Sequence, residues 1–177
     1  MSRRLAFSLC AVAALSVSLF PAWSEAPQMI VEIATVDDLV AEIGAKVELL
    51  GQQLASAESF AKTIEKKEVP QAAGVIACTA QAIVEHPDNA KAKFHAADLR
   101  DAAVALGSAK TFDEATQLFT AVQQAYIGKS SGTAKPDAEW NKLTSLGRVM
   151  EEINGRSATI RRGLRRLQKP DETARDC

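Results

Sequence analysis

Aromatic side chains are scarce in this chain: six phenylalanines, two tryptophans and one tyrosine, Tyr126, among 177 residues. Sheets draw on β-branched and aromatic side chains, whereas alanine, abundant here, favours helices, so the composition predicts Ala-rich helical packing. Chemistry-bearing residues are scarcer still, with three cysteines (Cys10, Cys78, Cys177) and two histidines (His86, His95). No paired Cys or paired His spacing occurs, which removes a structural zinc site of about four ligands. A Gly-rich phosphate loop, a GxSxG elbow and an HExxH motif are also missing. Glu151 and Glu152 are adjacent and diverge around a helix, whereas a di-iron site calls for Glu-x-x-His. Enzymatic chemistry has no visible carrier, and the expectation is a non-enzymatic protein.

An excess of charge is missing too, since 21 basic residues face 22 acidic ones. That balance implies no global polyanion partner. A nucleic-acid partner is further disfavoured by the lack of aromatics interleaved with the basic residues.

The first residues read as an export signal. Arg3 and Arg4 form a basic start, Leu5 to Phe20 is uncharged and apolar, and Pro21, Ala22 and Ser24 supply a break and small side chains. Cleavage is expected after Ser24, and the apolar run is shorter than the roughly 20 residues of a membrane span. Cys10 lies within the apolar core, which gives no lipid anchor. The expected organisation is a signal peptide over 1–24, a lead over 25–34, a helical domain over 35–169 and a tail over 170–177. Without the leader, 19 basic residues face 22 acidic ones, a net charge of −3. The expected location is periplasmic or secreted, with no transmembrane domain after cleavage.

Within the domain the pattern is helical. Thr35 and Asp38 have capping-box spacing, and Val36, Val40, Ile43, Val47, Leu50, Leu54, Ala57, Ala61 and Ile64 then recur at alternating steps of four and three. The spacing predicts one apolar stripe along a helix of about eight turns, which Gly44 and Gly51 weaken in isolation. A second helix is expected from Pro70 to Glu85, stopped by His86-Pro87. Asp98 is expected to cap a third that ends at Gly107, and Thr111 with Glu114 a fourth that ends at Gly128, with Ala115, Phe119, Val122 and Tyr126 facing inward. "KSSGTAKPDAE" reads as a flexible linker. The last helix repeats the seam through Leu143, Leu146, Met150, Ile153, Ser157, Ile160, Leu164 and Leu167 until Pro170. These stripes predict an all-α fold, an antiparallel helical bundle of four to five helices, with Leu50 and Ile153 buried mid-stripe and Lys46 off it.

Cys78 and His86 are eight residues apart; on one helix they differ by roughly 80° in azimuth and 12 Å in height, too far to share one metal. His86 and His95 therefore read as helix-end or surface residues, and Cys78 as a small hydrophobe. In an oxidising compartment Cys177 can pair with Cys78, if the C-terminus folds over the second helix, or with a second chain. The basic cluster of Arg156, Arg161, Arg162, Arg165, Arg166 and Lys169 faces an acidic first helix carrying Asp37, Asp38, Glu42, Glu48, Glu58 and Glu65. An internal charge match is favoured over a partner-binding patch.

At "ACTAQAIVEHPD", "DLRDAAVAL" and "WNKLTSLGRVMEEINGRSATIRRGLRR" the chain resembles exported helical proteins of the cytochrome c domain, or cytochrome c′-like, family, from about residue 60 onward. The resemblance implies a helix bundle and a CxxCH motif that holds haem c. No CxxCH is present in this chain, which stops at "DETARDC"; the resemblance therefore implies a shortened member without covalent haem. Function is expected to be partner binding, self-association or a structural role in the envelope. The alternative is an electron-transfer or haem-binding protein holding haem non-covalently through His86, His95 or Met150.

Overall fold

A computed structural model describes residues 30–168. The expected leader, Cys177, Lys169 and the side chains of Arg166 and Leu167 lie outside the described residues. The elements are α1 (Ile30–Ile33), α2 (Val36–Gln53), α3 (Ala57–Glu65), α4 (Glu68–Glu85), α5 (Ala96–Leu106), α6 (Phe112–Tyr126), α7 (Trp140–Leu143) and α8 (Leu146–Gln168), with a 3-10 turn at Asn89–Lys91. The fold is all-α and bundle-like, with no strand among the described residues.

The centre of the molecule is α4. Between Glu68 and Glu85 it carries no charge, and its small residues let neighbours approach on several sides. Val69, Ala72, Ala73, Ile76, Ala77, Ala80 and Ile83 are all buried, as expected of a helix that is apolar around most of its circumference. Pro70 falls in the first turn, where no intrahelical donor is lost. The end of α2 returns to the start of α4, where Gln53 Nε2 donates to Glu68 Oε2 at 3.2 Å, so the two helices run antiparallel. On its other flank α4 packs on α5, and α5 on α6.

The Thr35–Asp38 capping box forms as expected. The expected eight-turn helix does not: it breaks at Leu54–Ser56, and Ser56 Oγ accepts the Ser59 N–H to cap a separate α3. A serine that satisfies an orphan donor favours a new helix start over continuation. The break also changes the inward residue, which in α3 is Phe60, while Ala57 and Ala61 are exposed. At the end of α6 the Gly128 N–H donates to Ala125 O and the Lys129 N–H to Gln124 O, with Gly128 at φ +77°. This Schellman closure is why glycine stands there.

Two further expectations are corrected. Asp98 does not cap α5, which starts at Ala96 after His95. Its carboxylate instead accepts the Gly132 and Ala134 N–H groups at 2.6 and 2.9 Å. The segment expected to be a flexible linker is thereby strapped to α5. Arg100, only 3% exposed, completes the strap by donating to Lys135 O, Pro136 O and Gln81 Oε1.

The last helix departs most from expectation. It breaks at Thr144–Ser145 into α7 and α8, and among the described side chains of its seam only Leu143 is buried. Leu146 is 76% exposed, Ile153 49% and Leu164 54%, and from Ala158 to Arg165 every residue is exposed. Ile153 is therefore not the buried counterpart of Leu50, which is fully buried.

Candidate functional site

One polar cluster holds α8 to the body. Glu152 accepts from Lys46 Nζ of α2 at 2.6 Å, from Gln71 Nε2 of α4 at 2.9 Å and from Arg156 Nε one turn on at 2.7 Å. Arg156 also binds Glu42 of α2 in bidentate fashion. Moving from Lys46 back to Glu42 on α2 thus matches moving forward from Glu152 to Arg156 on α8, so these helices run antiparallel. Burial raises the Glu152 carboxyl, but hydrogen bonds from Lys46 and Arg156 more than offset this and leave it below its ordinary value of 4.5. Donating hydrogen bonds to Glu42 and Glu152 pushes the Arg156 guanidinium upward in turn. Lys46, expected off the stripe and unimportant, is instead an anchor with a side chain only 13% exposed.

Beside this clamp a groove of about 640 Å³ opens between α4 and the α7–α8 segment. Gly74, Val75, Cys78 and Thr79 form its α4 side; Trp140, Leu146, Val149 and Ile153 face them; Glu42, Glu152 and Arg156 close one end. Gly74 makes the approach possible, because a Cβ there would stand 2.5 Å from Thr144 Oγ1. Trp140 is held by its indole N–H, which donates to Glu85 Oε1 at 2.9 Å. Burial raises the Cys78 thiol, which keeps it protonated and suits it to an apolar lining rather than to nucleophilic attack. The acids at its end, Glu42 and Glu152, are matched by Arg156 and Lys46.

The sequence-predicted ligand residues are not gathered there. His86 is the C-cap of α4, buried, and its Nδ1 accepts the Asp88 N–H at 3.0 Å while Nε2 has no partner. His95 precedes α5, half-exposed, with Nδ1 3.2 Å from Asp98 Oδ1. Met150 lies two residues before Glu152, level with the Gln71 end of α4. At 1.5 Å per residue, Gln71 and His86 are roughly 22 Å apart along α4, so Met150 and His86 sit at opposite ends of that helix. Among the described residues no group of three or more His, Cys, Asp or Glu is placed to hold a metal ion. Cys78 is a free thiol there.

Of the basic cluster, Arg156 has the expected internal match in Glu42, whereas Arg161, Arg162 and Arg165 point from an arm that has left the body. Sequence reasoning missed Gln81, Arg100, Lys46 and Gln71. The signal it passed over was a polar or charged residue inside an otherwise apolar helical run, as with Gln81 in "CTAQAIV".

Fold and groove together define a class, an all-helical protein with an apolar cleft and a projecting amphipathic helix. Comparison with known protein families, curated proteins and solved structures finds no match to the chain.

Proposed function

We propose that this is an exported, non-enzymatic binding module of the cell envelope, acting through α8 and the groove beneath it. The observation that carries the reading is the exposed apolar stripe of α8. Large apolar side chains in contiguous exposure mark interaction surfaces in proteins that are otherwise well packed, and the described helices before α8 pack a core around α4. The groove is apolar and holds no activated nucleophile or acid–base pair, which suits binding rather than turnover. Kinship with cytochrome c′-like proteins, in this reading, is one of helical architecture without covalent haem.

A photo-reactive residue at Ile153 tests this in intact cells, with Thr116, exposed on α6, as the control position. Adducts from position 153 and none from position 116 are expected, together with a purified protein that shows no Soret band. Equal labelling from both positions, or stoichiometric haem, overturns the reading.

A further inference from the structure

On the reading just given, we propose that the occupant of the α8 stripe is an anionic lipid surface, on which the helix lies in the interfacial plane. At 100° per residue, Leu146, Met150, Ile153, Ser157, Ile160 and Leu164 fall within an arc of about 80°. Apart from the small Ser157, these side chains are 46–76% exposed. Arg161 and Arg165 border the arc, and Arg162 stands on the opposite face. No acidic residue occurs between Glu152 and the end of the helix at Gln168. The arm is therefore cationic on a chain whose formal net charge is −1. A narrow apolar stripe on a helix of low overall hydropathy, with arginines along its margin, is the arrangement of helices that lie in a bilayer interface. The arginine stems extend over apolar surface while their guanidinium groups reach lipid phosphates.

The fold supports this geometry. The clamp engages the Glu152 and Arg156 side of α8, roughly 80–120° around the helix from the centre of the stripe, so docking to the body leaves Met150, Ile160 and Leu164 outside the groove. Glu42 and Glu152, the acids at the clamp, are matched by Arg156 and Lys46. Trp140, part-exposed beside Leu146 and Ile153 in the groove, adds a ring of the kind that settles at membrane interfaces. None of the described helices is long and apolar enough to cross a membrane.

The test is sedimentation of the exported protein with vesicles of phosphatidylcholine alone and of phosphatidylcholine with one-third phosphatidylglycerol. Binding is expected only to the anionic vesicles, weakening steeply as salt is added. The triple change R161Q/R162Q/R165Q is expected to weaken it on the order of 100-fold, whereas R161K/R162K/R165K retains it, because a lipid surface responds to charge rather than to guanidinium shape. I160S/L164S is expected to weaken it roughly tenfold or more. All these positions are exposed, and an unchanged melting curve shows that each variant is folded. Equal binding to neutral vesicles, or indifference to the arginine-to-glutamine change, overturns the proposal. A stripe-dependent dimer or protein complex without vesicle binding also overturns it, while leaving the binding-module reading in place. Wild-type behaviour of I160S/L164S in vesicle, dimer and cross-linking assays overturns both.

Discussion

α2 and α8 carry the same apolar spacing and meet opposite fates. In α2 the positions Val36, Ile43 and Leu50 are buried against the body. In α8 the equivalent run of Leu146, Ile153 and Ile160 stays exposed, although Leu146 and Ile153 line the groove beside α4. Periodicity specifies that a helix has an apolar face; it does not specify that a partner face remains to receive it. Here α2, α3 and α5 already cover most of α4. The strip left along Gly74, Val75, Cys78 and Thr79 meets only the edge of α8. What fixes α8 is a set of charged hydrogen bonds, which hold position at one point and let the rest of the helix project.

The sharpest way to break this comparison is to truncate matching seam positions. Leu50→Ala should cost about 2–5 kcal/mol in urea or thermal unfolding, the range for a buried leucine. Ile153→Ala should stay within about 0.5 kcal/mol, as at ordinary surface sites. Equal losses at both would mean that α8 is part of the core.

Next in size is the strap. Arg100→Ala leaves Gln81 and the carbonyls of Lys135 and Pro136 without their donor, and about 2–4 kcal/mol should be lost. Lysine should not restore it, since a single ammonium cannot span the set that the planar guanidinium reaches. Faster proteolysis between Lys129 and Lys135 should accompany the change.

A smaller effect is expected at the clamp. Lys46→Ala should cost about 1–2 kcal/mol, discounted because the pair retains some solvent contact. The effect should be local: faster tryptic cleavage within α8 while α4 amides stay protected from hydrogen exchange. The clamp should also respond to acid. Glu152 is held below its ordinary value of 4.5. Its stabilising contribution is therefore complete above about pH 4.5 and lost as the pH falls through the lower, folded value. Proteolysis of α8 should rise across that interval in the wild type, and Glu152→Gln should show fast cleavage with little further pH dependence.

The smallest expected change is a gain. Lys67 holds φ +58° at the turn into α4, a conformation that costs a residue with a Cβ roughly 1 kcal/mol. Lys67→Gly should recover part of that, less what glycine loses in the unfolded chain, and melting temperature is the measurement.

Much of the interior was legible because its signals are local. The Thr35–Asp38 box, the stop at His86-Pro87, the Gly128 closure and the inward Ala115, Phe119 and Val122 all depend on neighbours within a turn or two. The groove was not legible, because its two sides lie about seventy residues apart: Val75 and Cys78 are on one, Leu146 and Val149 on the other. Glu152 was set aside on account of its adjacency to Glu151, yet its partners are Lys46 and Gln71 on other helices. The haem-ligand alternative named His86, His95 or Met150 by residue type, and the structure places His86 at the C-cap of α4 and His95 just before α5.

By itself, then, the sequence determined the helical character, the caps and stops that divide most of the helices, and the existence of two apolar stripes, since each follows from side chains a few residues apart. Only the tertiary structure decided which stripe is interior. Both stripes carry the same period, and the choice rests on how much of α4 is still uncovered once its nearer neighbours have packed. It also decided that Asp98 and Arg100 hold a strap and that Lys46 is an anchor. A buried polar side chain must find partners wherever the fold places donors and acceptors, and those partners, in residues 81, 132–136 and 152, are remote in the chain.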